Sequence, residues 1–247
     1  MLAVATLVFF MIRLVPGDPI AAMLADAGSE EAREAMIRRL GLDQPVIVQF
    51  FYWFGNMLKG DLGSSIYGSN QPVMTILLTA LPKTLSLALV SFVIAVAIAI
   101  PAGIIAATRK NSAADVGVSL FAFLGLSMPD FWLAIILIIV FAANLQWLPA
   151  IGYVPLSEGV WPWMSHLILP GIAIGTGFSA IIARMIRSSM LEVMQADYMR
   201  TAASKGLTQR VILMRHAFPN ALIPVLTVIG IAFAHLLSGA VVVENVF

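Results

Sequence analysis

No cysteine occurs among the 247 residues, so disulfide frameworks, thiolate nucleophiles and Cys-based zinc or iron–sulfur sites are excluded together. Charge is scarce as well: 11% of positions are Asp, Glu, Lys or Arg, against roughly 25% in a typical soluble domain. Fourteen Lys and Arg nearly cancel thirteen Asp and Glu, leaving a formal net charge of +1 and implying no basic surface for nucleic acid. The three histidines have no metal-ligand spacing, and neither His-Glu-x-x-His nor Gly-x-Ser-x-Gly is present. The Gly-x-x-x-x-Gly-Lys-Ser/Thr phosphate loop is also missing, so ATP hydrolysis has no home on this chain. What remains is apolar. Sixty per cent of positions are hydrophobic, and the mean hydropathy is +0.96. Thirteen Met, fourteen Phe and five Trp suit a lipid-facing protein. The chain reads as a membrane protein, not a soluble enzyme.

A helix crossing the roughly 30 Å hydrocarbon core needs about 20 mainly apolar residues. Thr84–Thr108 meets this without one charged side chain, and Val116–Ala143 does so interrupted only by Pro129 and Asp130. Leu167–Met185 and Leu222–Val243 are the third and fourth candidates. Met1–Val15 is apolar but short, and it lacks the basic start and small-residue cleavage site of a signal peptide. It reads as the outer part of a first span. The fold class expected is therefore all-α and polytopic, with about five spans present of a probable six.

The basic residues orient these spans. Arg109 and Lys110 follow the Thr84 span, offset only by Asp115, and Arg184, Arg187, Arg200, Lys205, Arg210 and Arg215 follow the third. The connection Asn144–Ser165 has no Lys or Arg. The positive-inside rule then puts the two basic connections in the cytoplasm. Residues 16–83 become an external helical region. Within it, Ser29 is placed to cap a helix with Glu30 and Glu31 in its first turn, Arg38 and Arg39 in its last, and Gly41 as its stop. Asp43 and Pro45 open a second helix carrying Phe50, Phe51, Tyr52, Trp53 and Phe54, which suits either the membrane interface or packing against the spans.

The connection at about 187–221 is neither a span nor a limp linker. Burying Arg187, Glu192, Asp197, Arg200, Lys205, Arg210 and Arg215 in lipid costs on the order of 20 kcal/mol. Yet Met190, Leu191, Val193, Met194, Tyr198, Met199, Ala202 and Ala203 recur at helical spacing, Gly206 supplies a stop, and a helical pattern resumes from Leu207 to Ala217, up to Pro219. An amphipathic helix–Gly–helix element must bury its apolar stripe. It either docks on the inner ends of the spans or enters a groove on a partner.

Inside the bilayer, Asp130 is a functional candidate by depth alone. Pro129 before it predicts a broken helix, with Asp130 in the first turn of the second half, where the helix dipole favours a carboxylate. It either faces a pathway or caps the break. His235 reads as a proton relay or a histidine satisfied by a carbonyl, and His166 as a boundary residue. Gly171 and Gly175 permit close helix contact, within the subunit or with a partner.

The run Asp197-Tyr198-Met199-Arg200-Thr201-Ala202-Ala203-Ser204-Lys205-Gly206, followed by His216-Ala217-Phe218-Pro219-Asn220-Ala221, resembles the diagnostic loop of ABC-importer permeases. The wording is similar to the dipeptide/oligopeptide class, glutathione and dipeptide permeases especially. Pro16-Gly17-Asp18-Pro19, Leu40-Gly41-Leu42-Asp43-Gln44-Pro45, Gly60-Asp61-Leu62-Gly63-Ser64-Ser65 and Gly239-Ala240-Val241-Val242-Val243-Glu244 agree, so the likeness covers essentially the whole chain. The family's loop begins Glu-Ala-Ala; here Arg200, Thr201 and Ala202 stand there, so a Glu-specific contact is unavailable.

The resemblance implies one transmembrane domain over 1–247: a partial first span at 1–15, the external region 16–83, and four spans within 84–243. It implies a bacterial inner-membrane permease that imports short peptides by alternating access, with no cofactor of its own. ATP and Mg would sit on two separate ATPase subunits. A second permease, in peptide systems usually a paralogue, and a periplasmic or lipid-tethered binding protein complete the assembly. Asp197, Tyr198, Arg200, Thr201, Lys205 and Gly206 are the expected ATPase-coupling residues, with Ala202 keeping the helix thin. Ser127, Asp130 and Phe131, in the family's Ser-x-Pro-x-Phe pattern, are the expected path residues. Competing readings are a proton-coupled secondary peptide transporter, which would want more deep carboxylates and histidines, a nickel-chelate permease of the same family, and a membrane hydrolase, for which no nucleophile–base set is recognisable.

Overall fold

The computed structural model describes residues 2–14, 34, 37–38, 41–65, 71–239, 241–244 and 246–247. Every extended element among them is a helix, as a chain of continuous apolar runs requires when no water is at hand to satisfy its backbone. The chain divides into two compact units, Met1–Leu81 and Pro82–Phe247.

In the first unit, α1 (Leu2–Leu14) and α2 (Val46–Leu58) meet through aromatic rings. Phe9 lies 5.2 Å from Phe50 and 5.1 Å from Trp53, and Phe10 stacks on Phe50 at 5.6 Å. Arg13 closes this seam, its guanidinium 3.6 Å from the Phe9 ring centroid and donating to Gln49 Oε1 at 2.6 Å. The aromatic cluster of α2 thus serves two ends: Phe50 and Trp53 pack on α1, while Phe51 (66%) and Tyr52 (71%) stay exposed. Pro45 caps α2 as expected, Gly41 takes φ +64°, and Arg38 pairs with Glu34 at 3.4 Å. The predicted cap Ser29 and first-turn Glu30 and Glu31, with Arg39, lie outside the described residues, as does the Pro16–Pro19 motif. At 13 residues α1 is about 20 Å long, short of the hydrocarbon thickness.

Next along the chain come α3 (Val73–Thr108), α4 (Ala113–Ser127), α5 (Asp130–Leu137) and α6 (Val160–Met194). Beyond a bend lies α7 (Asp197–Ser204), then α8 (Gln209–Val211), α9 (Phe218–Gly239) and α10 (Val241–Glu244). Among the described residues, three continuous helices have the length and apolarity to cross a membrane: Val73–Thr108, Val160–Met194 and Gln209–Leu237. A fourth crossing among them requires α4 and the helical stretch Asp130–Asn144 to make one together, and these meet at 102°. The expected Val116–Ala143 span is therefore two helices joined at Met128-Pro129, because Pro129, with φ −62° and ψ 136°, can only cap the second.

Tight packing of α3 on α6 organises the second unit. Ala88, Ser91, Ala95, Ala99, Gly103 and Ala106 form a buried small-residue stripe along α3. A Cβ built on Gly171 would lie 3.1 Å from Val90 Cγ1, and one on Gly175 would lie 2.9 Å from the Ser91 carbonyl oxygen. The Gly171/Gly175 pair thus serves contact within the subunit. In lipid, such close backbone approach is what holds helices together.

Several boundaries differ from expectation: α3 begins at Val73 and not at Thr84, and α6 at Val160 and not at Leu167. The helix α6 does not end at Met185 but continues to Met194, about 52 Å in all, because Ile186, Ser189 and Met190 keep a buried face beyond the apolar run. Nor does helix stop at Pro219. A wider π-helical turn, Ile212–Ala217, leads straight into α9. Proline lacks the N–H that would bond the Arg215 carbonyl and its ring crowds that carbonyl, so the turn widens there. The side-chain amide of Asn220 donates to the neighbouring His216 carbonyl at 2.7 Å.

Candidate functional site

The predicted coupling residues assemble on α7 and the turn after it. Ala196 (φ −67°, ψ 147°) breaks α6 from α7, and Gly206 at φ +77° ends the element, a conformation costly for any residue with a Cβ. The hydroxyls of Thr201 and Ser204 bond back to the Asp197 and Arg200 carbonyls, shortening the exposed polar surface of a helix too brief to be stable alone. Its stability comes from packing: Met199 (6% exposed) joins Ile186, Met190, Ala107, Ala217 and Ala221 in one buried cluster, and Ala202 is buried too. Asp197, Tyr198, Arg200, Thr201 and Lys205 are exposed. Asp197 and Arg200 approach to 3.8 Å, an exposed pair of little energetic weight.

The first of the two readings holds for the apolar stripe, which docks on its own chain; Ala202 belongs to that inward face, and the polar face is left exposed.

A second cluster was invisible in the sequence. Arg187 grips Asp115 with a two-pronged ion pair, Nε to Oδ1 at 2.6 Å and Nη2 to Oδ2 at 2.8 Å, across 72 positions of chain. The Asn111 N–H also donates to Asp115 Oδ2, at 3.0 Å, while Ser112 caps α4 by accepting from the Asp115 N–H. By sequence position alone, Asp115 is an offset to the charges of Arg109 and Lys110. The Ser112-x-x-Asp115 spacing does signal a helix start, but nothing local names Arg187. Close by, Ser189 donates to the Ala221 carbonyl of α9 at 2.8 Å, fully within the bundle.

The predicted path residues sit at the α4–α5 break. The Ser127 hydroxyl donates back to the Phe123 carbonyl at 2.8 Å. Asp130 opens α5, its Oδ1 facing α6 where a Cβ on Gly177 would stand 3.5 Å away. Asp130 and Phe131 are both exposed in the isolated chain. Of the histidines, His166 Nδ1 bonds the Pro162 carbonyl at 2.8 Å, and His235 lies on α9. No group of three metal-ligating side chains comes together among the described residues.

Long apolar helices packed through small residues, with a short amphipathic helix held at the end of the longest ones, define a polytopic helical membrane protein. Residues 99–247 match the family described as binding-protein-dependent transport system inner membrane component, and residues 1–88 match the N-terminal region of such membrane components. The chain belongs to this family. It is 45% identical over 247 residues to a putative peptide transport system permease protein of Brucella suis, covering all of this chain and 78% of that protein. It is 39% identical to the oligopeptide transport system permease protein AppB of Bacillus subtilis (100% and 79% covered) and 40% identical to the di/tripeptide transport system permease protein DppB of Pseudomonas aeruginosa (99% and 79% covered). The chain is thus an ABC-importer permease subunit, a transport component and not an enzyme, and the secondary-transporter and hydrolase readings fall away. Permeases of this family work with ATPase and substrate-binding components and carry no cofactor themselves; the family implies a bacterial inner membrane.

Proposed function

We propose that the chain imports short peptides, of the dipeptide, oligopeptide or glutathione class, by alternating between outward- and inward-open states. It acts as one transmembrane domain over residues 1–247, paired with a paralogous permease. Two ATPase subunits holding ATP and Mg drive it, and a periplasmic or lipid-tethered binding protein supplies substrate. The peptide-permease names of relatives at 39–45% identity support the substrate class.

The observation that carries the mechanism is the division of α7 between its faces. Met199 and Ala202 fix the helix to the bundle, while Asp197, Tyr198, Arg200, Thr201 and Lys205 are exposed for an ATPase cleft in the cytosol. A helix anchored in this way passes displacement to the spans, where a flexible loop would absorb it. Gly206 lets the chain turn away sharply, with open space where a side chain would stand. At the other site, Ser127, Asp130 and Phe131 line the path beside the break between α4 and α5, where irregular backbone is tolerated only next to protein or water.

Reconstitution of the whole importer tests this. Peptide uptake should require ATP and the binding protein, and Tyr198→Ala combined with Arg200→Ala should sharply reduce recovery of the ATPase subunits with the permease. Uptake sustained by a proton gradient without ATP would refute the reading. So would a Gly206→Trp variant with ATPase association and transport both intact.

A further inference from the structure

Between Ile186 and Met190, α6 touches α3, α4, α7 and α9. A Cβ on Gly103 of α3 would lie 2.7 Å from Ile186 Cβ, Arg187 holds Asp115 of α4, Ser189 bonds the Ala221 carbonyl of α9, and Met190 shares its buried cluster with Met199 of α7. The contact with α4 is an ion pair. Between Ala113 and Phe121 the one buried residue of α4 is Asp115, while Val116 (64%) and Leu120 (56%) are exposed. Further along, Ala122 is buried and a Cβ on Gly125 would meet Thr176 of α6 at 3.4 Å.

In the first turn of α4, Asp115 is the buried residue, and its carboxylate is gripped bidentately by Arg187 of α6. Such a fork fixes direction as well as distance, which an apolar contact does not. At its far end α4 terminates at Met128-Pro129, the 102° break that carries Asp130. We infer that Asp115 and Arg187 are positioning residues for transport: they make α4 follow α6, so that a push on α7 reaches the break between α4 and α5. The groups facing the pair besides each other are the Asn111 backbone N–H and, at the same turn, Lys110, which adds to the positive surroundings of Asp115. This inference rests on the reading of α7 as the ATPase-coupled element.

The test uses the full reconstituted complex and reads peptide transported per ATP hydrolysed. With Asp115→Asn, complex recovery and ATP hydrolysis should persist while the ratio falls about tenfold, within the ordinary range of coupling between sites. The double reversal Asp115→Arg with Arg187→Asp should recover much of the ratio. A ratio within twofold of the parent for Asp115→Asn overturns the inference, as does a loss of uptake matched by an equal loss of assembled complex.

A second measurement leaves the pair untouched. The absence of cysteine allows spin labels at Val116→Cys and Ser188→Cys, both exposed positions. Their separation should stay the same in nucleotide-free and ATP-bound complexes, and a change approaching one helical turn, about 5 Å, overturns the inference. If Tyr198→Ala with Arg200→Ala fails to affect ATPase binding, the α7 reading fails. If that variant behaves as expected and Asp115→Asn keeps its ratio, only the link through α4 fails.

Discussion

Replacing Gly103 by Ala isolates the contact on which the α3–α6 packing depends. The new methyl would lie 2.7 Å from Ile186 Cβ, 2.7 Å from Ile186 Cγ2 and 2.8 Å from the Ala183 carbonyl oxygen. Carbon atoms in ordinary contact sit about 3.5–4.0 Å apart, so the overlap is roughly 0.8 Å or more. The backbone fixes Ile186 Cβ whatever the rotamer, β-branching in a helix restricts where Cγ2 can go, and the carbonyl is tied into the α6 ladder. The helices must part instead. Overpacking of this kind costs about 1–3 kcal/mol, and the better helix propensity of Ala returns about 1 kcal/mol. A net loss of up to about 2 kcal/mol corresponds to as much as roughly 8 °C in Tm for a chain of this size.

Gly117→Ala is the matched control, because Gly117 lies in α4 with nothing within 4 Å of its added methyl. There the propensity gain stands alone, and Tm should hold or rise by a few degrees. Thermal unfolding of the two purified variants in one detergent compares them directly. Equal Tm values for Gly103→Ala and Gly117→Ala would refute the claim that backbone proximity at Gly103 limits what residue fits there.

Other outcomes follow from single contacts. Met199→Ala should destabilise by about 2–4 kcal/mol because a buried side chain leaves a cavity, whereas Tyr198→Ala, at 46% exposed, should stay within about 0.5 kcal/mol; chemical denaturation separates them, and equal losses would contradict the two-faced α7. Ser189→Ala removes the donor to the Ala221 carbonyl and should cost about 1 kcal/mol, rising for Ser189→Val, which also adds volume. Pro219→Ala restores an N–H and relieves the crowding at Arg215, so amide exchange across residues 212–217 should slow; unchanged exchange would show that the widened turn has another cause. Gly206→Ala should cost about 1–2 kcal/mol from φ +77° alone, without any steric contribution, and denaturation again reads it.

The amino-acid order alone settled the membrane habitat, the helical class and the position of the short amphipathic helix before Gly206, because each follows from local quantities. Uncharged runs long enough for a bilayer, a cluster of charges too costly to bury, and Gly206 after an amphipathic stretch are all legible without knowing what lies nearby. The break at Pro129 was equally legible, since proline acts on its own backbone and the preceding turn.

Tertiary structure decided the rest. The helix α6 outruns its apolar stretch because other helices bury Ile186, Ser189 and Met190, which local hydropathy cannot register. Pro219 ends nothing, because a widened turn and the Asn220 side chain accommodate it. Gly103 looks like any other glycine until Ile186 stands against it. Arg187 looked like one more positive charge for orienting the spans, and only folding brought Asp115 to it from 72 residues away. An ion pair is a relation between two places in space, and a sequence fixes that separation only through every contact in between.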